Sequence, residues 1–171
     1  MKEILKGPSL VYNLVKKLRK KYPEKQIGKT VIQKLMYLIE TKSDLDLDYT
    51  LYHYGPYSSM VNEYITLAET LGFVSVRWDY EKGYFIEPLK PNEDLLVDIE
   101  EKNLIEVIID NYGKFTANEL SIMTTALYII NKFGVESPKN IISAVLQAKP
   151  KNKKEWIEKI LIKGGIVGKS N

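Results

Sequence analysis

The chain has 171 residues, of which 44% are hydrophobic, 27% charged and 11% aromatic, the balance of an ordinary globular protein of one domain or two small ones. It contains no cysteine and a single histidine, His53, which removes disulfides, thiolate zinc sites, iron–sulfur clusters, cysteine nucleophiles and multi-histidine metal centres. The 25 Lys+Arg against 22 Asp+Glu leave a formal net charge of +3, too small as a total to indicate a polyanionic partner.

The first eight residues lack the apolar core of a signal peptide, and no apolar run is long enough to span a bilayer. The expectation is a soluble cytoplasmic protein without a membrane partner. Many Lys and Glu with no Cys also suit a thermophile.

From Ser9 to Lys21, Leu10, Val11, Leu14, Val15 and Leu18 form one helical stripe, and Lys16, Lys17, Arg19 and Lys20 occupy the opposite face. Tyr22-Pro23 ends that helix, because the residue before proline is pushed out of the α region. A second helix is predicted from Thr30, where Thr30 and Gln33 have capping-box spacing. Residues 50–54 read as a short extended segment stopped by Gly55-Pro56. Ser58 or Ser59 then caps a third helix burying Met60, Val61, Tyr64, Leu67, Ala68 and Leu71, with Gly72 as its left-handed terminator. Residues 73–78 and 84–87, joined by a polar turn, read as a β-hairpin. Helix, helix, short strand, helix and hairpin is the order of a winged-helix domain over residues 1–90.

Lys90-Pro91-Asn92 reads as a boundary, and residues 91–171 as wholly helical. Asn92-Glu93-Asp94 opens one helix, Thr116 and Glu119 form a capping box for the next, Ser137-Pro138 starts a third, and a fourth runs from Asn152 to Lys163. Each has a narrow apolar stripe, so this region is expected to pack on the N-terminal unit and not to stand alone. The predicted class is α+β, mainly α.

Gly28-Lys29-Thr30 lacks the earlier glycine of a phosphate-binding loop, since Pro23 holds that position. Asp44, Asp46 and Asp48 begin like a calcium loop, but Tyr49 and Gly55 stand where the pattern needs glycine and glutamate. On a strand, alternation turns His53 away from Tyr52 and Tyr54. No catalytic group, metal or cofactor is therefore expected.

Charge placement says more than charge total. Residues 1–34 hold ten Lys+Arg and two Glu, a net +8. Residues 43–76 contain no Lys or Arg but carry Asp44, Asp46, Asp48, Glu63 and Glu69. A third helix that reads DNA in the major groove normally carries cations, Asn or Gln, and here Asn62 stands alone beside Glu63. Nucleic acid should instead meet Lys16, Lys17, Arg19, Lys20, Lys21, Lys25, Lys29 and Lys34, with weak, sequence-independent, salt-dependent affinity for duplex DNA. The competing expectation is a protein partner docking on the acidic, tyrosine-rich stretch Asp44 to Glu69, through Tyr52, Tyr54, Tyr57, Asn62 and Glu63. An apolar helix face of the second half is open to homodimerisation.

The segments Ile32-Gln33-Lys34-Leu35-Met36-Tyr37, Tyr52-His53-Tyr54-Gly55-Pro56-Tyr57-Ser58 and Ala68-Glu69-Thr70-Leu71-Gly72-Phe73 resemble the YwgA-like family of predicted transcriptional regulators. They are more distantly similar to the SocA/Panacea domain of phage-associated proteins and antitoxins. The resemblance covers about residues 28 to 75. It implies a winged-helix-like, non-enzymatic regulator, and through the distant relatives a module that neutralises a protein.

Overall fold

The computed structural model describes residues 2–89 and 97–169. In chain order these form α1 (Lys2–Lys21), α2 (Lys29–Glu40), β1 (Thr50–Tyr52), β2 (Gly55–Tyr57), α3 (Ser59–Thr70), β3 (Val74–Asp79), β4 (Gly83–Pro88), α4 (Ile99–Tyr112), α5 (Ala117–Phe133), α6 (Pro138–Ala148) and α7 (Lys154–Lys163). The class is α+β and mainly helical, with two separate antiparallel hairpins, β1–β2 and β3–β4. No helix among the described residues is long and apolar enough to cross a membrane.

The centre of the molecule is α2. Every residue from Val31 to Ile39 is buried, Gln33 and Lys34 included, the signature of a helix enclosed on all sides. It packs against α5, α4, α3, α1, β2 and β4. On α5, Leu120 to Ala126 are likewise buried without a break. The residues before and after position 90 therefore share one hydrophobic core.

Several boundaries differ from the sequence reading. Helix α1 starts at Lys2 and runs through Pro8, which as the seventh helical residue lies past the four first-turn amides and so removes one i→i−4 hydrogen bond, to the Ile4 carbonyl. The capping box expected at Thr30 does not form: Gly28 is the N-cap of α2, with no side-chain cap. Gln33 turns inward instead, donating from Nε2 to the Ser58 carbonyl at 2.7 Å and accepting from the Ser58 amide at 3.0 Å. Gly55-Pro56 does not stop the extended segment but forms the returning strand, with Thr50 opposite Tyr57 and Tyr52 opposite Gly55. Ser58 caps α3, accepting from the Val61 amide at 3.1 Å. The α3 core face includes Ile65, which the periodicity reading omitted, whereas Leu71 is exposed.

The β3–β4 turn is held by Asp79, whose Oδ1 accepts from the Glu81 and Lys82 amides, and closes on Gly83 in the left-handed region. Helix α4 begins at Ile99, capped reciprocally by Asp98 and Glu101. The earlier start expected at Asn92-Glu93-Asp94, like the boundary at 90–92, lies outside the described residues. Thr116 and Glu119 form the capping box of α5, and Ser137 caps α6 with Pro138 in its first turn.

Candidate functional site

The eight cations grouped by sequence occupy four different environments. Lys34 cannot contact nucleic acid: it is 2% exposed, and its Nζ donates to the Pro56 carbonyl at 2.7 Å. That is a correction with a clear cause, since Lys34 projects from the helix that the core encloses. Arg19 also has structural work. Its Nε and Nη2 make a bidentate pair with Glu87 of β4 at 2.8 and 2.6 Å, and Nη1 donates to the carbonyls of Pro23 and Lys25 at 2.6 and 2.7 Å. A planar five-donor fork suits such a junction.

Lys17 pairs with Glu106 at 2.6 Å and Lys21 pairs with Asp110, both carboxylates of α4. Lys16, Lys17, Lys20 and Lys21 line a shallow depression together with those two acids. The basic face of α1 is thus interrupted by carboxylates that lie far away in sequence. The Lys16 ammonium stands 5.8 Å from the Tyr12 ring centroid, and Lys20 is exposed.

Lys25 and Lys29 belong elsewhere, in an open groove of about 910 Å³ between the β3–β4 hairpin and the N-terminal ends of α2 and α5. Lys82 and Lys114 join them, and no Asp or Glu lines this groove. Its aromatic wall is Trp78, Tyr84 and Tyr54. Trp78 meets Tyr84 edge-on with centroids 4.7 Å apart, and the Lys29 ammonium lies 4.3 Å from the Tyr84 centroid. Gln26 fixes the hairpin in place by donating to the carbonyls of Lys82 at 2.6 Å and Tyr84 at 3.1 Å, and the Ile86 amide donates to the Ile27 carbonyl. The first turn of α2, with its backbone-only cap, opens here; first-turn amides and the helix dipole both favour an anion. Lys25 donates to the Phe115 carbonyl at 2.6 Å, and burial lowers its affinity for a proton.

A second pocket of about 820 Å³ continues from this groove, sharing Thr30, Tyr54, Ala117 and Asn118 as walls. Its far side carries His53, Ser121, Lys149 and Lys151, and again no acid. Ser121 Oγ donates to the Tyr54 carbonyl and accepts from Lys149 Nζ at 2.9 Å. Gly55 is necessary at this junction: a Cβ there would stand 2.5 Å from Thr125 Oγ1, and its φ is +93°. Burial drives the Lys34 ammonium down to about 7, with the nearby Lys149 charge adding to the effect, and burial lowers Lys149 as well.

Among the tyrosines singled out by sequence, Tyr52, Tyr54 and Tyr57 are exposed on the β1–β2 hairpin, while Asn62 is half-buried and Glu63 exposed on α3. His53 occupies the hairpin turn, so strand alternation does not govern it; its ring meets Tyr52 edge-on at 5.0 Å. Among the described residues no three His, Asp or Glu side chains converge as metal ligands. The groove unites Lys25, Lys29 and Tyr54 with Trp78, Lys82, Tyr84 and Lys114, which sequence reasoning had not selected. Lys82 beside Gly83 at the hairpin turn was the one available signal, as a cation at the tip of a hairpin.

No protein-family model matches this chain, and no curated protein matches it.

Proposed function

We propose that the protein is a non-enzymatic regulator of winged-helix type, with α1, α2 and α3 as its helices and β3–β4 as its wing. It binds duplex DNA weakly and without strong sequence preference along the groove of Lys25, Lys29, Lys82 and Lys114. The carrying observation is that this groove gathers four lysines, two helix N-termini and an aromatic wall with no carboxylate among its lining residues. Phosphates favour such a surface through counterion release. The mixed-sign face of α1 and the exposed Glu63 and Glu69 of α3 do not offer the same field.

Fluorescence anisotropy of a labelled duplex across a salt series tests the reading. Neutralising about four phosphates gives a log–log salt slope of about −3.6, a loss of roughly a hundredfold in affinity between about 50 and 200 mM salt. Lys29→Glu combined with Lys82→Glu removes binding, whereas Lys17→Glu, at an already paired position, leaves most of it. No binding at the lowest salt overturns the proposal.

A second reading rests on the β1–β2 hairpin, where Leu51, Tyr52, Tyr54 and Tyr57 are all exposed, and Tyr52 packs on Tyr57 at 6.0 Å. Pre-ordered aromatic rings of this kind suit a protein partner. In this reading the protein is itself an adaptor or antitoxin-like module, a protein partner recovered from the host is lost on Tyr52→Ala, and DNA binding is absent.

A further inference from the structure

The pocket that continues from the groove has its own chemistry. Lys149 is 8% exposed and Lys34 2% exposed, and their charges are close enough to oppose each other. Neither ammonium meets a carboxylate among the described residues. Each donates one hydrogen bond, to Ser121 Oγ and to the Pro56 carbonyl respectively, from groups that carry three donors. Buried cations are normally paired, because a lone charge in a low dielectric is costly. Lys149 lines an 820 Å³ pocket open to solvent, with Lys151, Asn118 and His53 around it. At the rim, Ala117 and Asn118 lie in the first turn of α5, where backbone amides have no intrahelical acceptor.

We infer that this pocket is a binding site for a phosphate monoester, with Lys149 and Lys151 supplying the charge and the Asn118 side chain and α5 amides supplying hydrogen-bond donors. The ligand is either the terminal phosphate of a nucleic-acid strand lying in the adjoining groove or a free nucleotide. The first source rests on the proposed nucleic-acid reading; the second does not. Lys34 lies behind the pocket, bound to the Pro56 carbonyl, and does not touch the ligand. Ser121 orients Lys149, since its hydroxyl proton is committed to the Tyr54 carbonyl and its lone pair therefore faces the ammonium.

The test uses the full chain in two arms. In the first, inorganic phosphate and a nucleoside monophosphate are titrated by calorimetry. In the second, anisotropy compares one oligonucleotide with and without a 5′-phosphate. Wild type is expected to bind inorganic phosphate, and a strand-end source makes the phosphorylated oligonucleotide about tenfold tighter. Lys149→Met abolishes phosphate binding and the increment but retains the affinity for the unphosphorylated strand. Lys151→Glu, at an exposed position that cannot disturb the core, weakens both signals and guards against a folding defect in the first variant. If inorganic phosphate and the nucleotide fail to bind and the two oligonucleotides bind equally, the phosphate site falls while the groove reading stands. If neither oligonucleotide binds but the nucleotide does, the site stands as a nucleotide pocket and the groove reading falls.

Discussion

Lys34 shows how one residue type takes opposite roles by position. On an amphipathic helix its ammonium would face water; on the enclosed α2 it donates to the carbonyl of Pro56 in β2 and ties that strand to the core. Its cost is pH-dependent. Burial holds folded Lys34 near 7, against 10.5 for an ordinary lysine. Between those values the unfolded chain binds more protons than the folded one, so this group makes stability rise with pH. Below about 7 both states are charged, and the full penalty of burying the ammonium applies. Lys25 and Lys149, also lowered by burial, act with the same sign. The stability of wild type relative to Lys34→Met should therefore improve as pH is raised from 7 towards 10, as read from urea unfolding midpoints. Parallel pH profiles for the two proteins would refute the assignment. Gln33 is the neutral counterpart: its amide supplies both a donor and an acceptor to the backbone of Ser58, which a hydrocarbon of equal size could not.

Elements in this protein are set by contacts as much as by local signals. Helix α1 meets α3 where Gly7 faces the Tyr64 ring; a Cβ at Gly7 would lie 2.4 Å from ring carbons. Gly7→Ala should cost about 1–3 kcal/mol through overpacking, despite the higher helix propensity of alanine. In a Tyr64→Ala background most of that cost should vanish, since the added methyl then has room. A double-mutant cycle by thermal or chemical unfolding measures the coupling, and an additive result would place the strain elsewhere. The caps of α3, α5 and α6 were legible because serine or threonine at the N-cap acts within one turn, by accepting a first-turn amide. The cap at Thr30 misled for a non-local reason: Gln33 found a better partner in Ser58, twenty-five residues away. The alternation assigned to His53 failed for a related one, because the turn came two residues earlier than Gly55-Pro56 suggested.

At the scale of the whole molecule, α2 and α5 bind the two stretches of chain into one core. A fragment of residues 1–89 would expose the surface of α2 that α4 and α5 cover, on a helix whose residues Val31 to Ile39 are all buried in the whole protein. Apolar area of that size is costly to leave in water. Such a fragment should lack a cooperative urea transition and disperse poorly in an NMR spectrum; a sharp two-state transition would show that the N-terminal unit is self-sufficient. The same packing redistributes the charge. Carboxylates of α4 neutralise the lysines of α1, while Lys82, Lys114, Lys149 and Lys151, scattered over seventy positions, join Lys29 around two connected hollows without an acid.

The sequence by itself determined the helices with clean stripes and caps, the β3–β4 hairpin, the mainly helical class, and the absence of cysteine or multi-histidine chemistry. These depend on neighbours within one turn of helix or one hairpin, where stereochemistry and short hydrogen bonds decide. Only the tertiary structure decided which lysines remain available for a ligand. A lysine reads the same whether it is buried at Pro56, paired with Glu106 or open to a groove, because the group that satisfies its charge comes from another part of the chain.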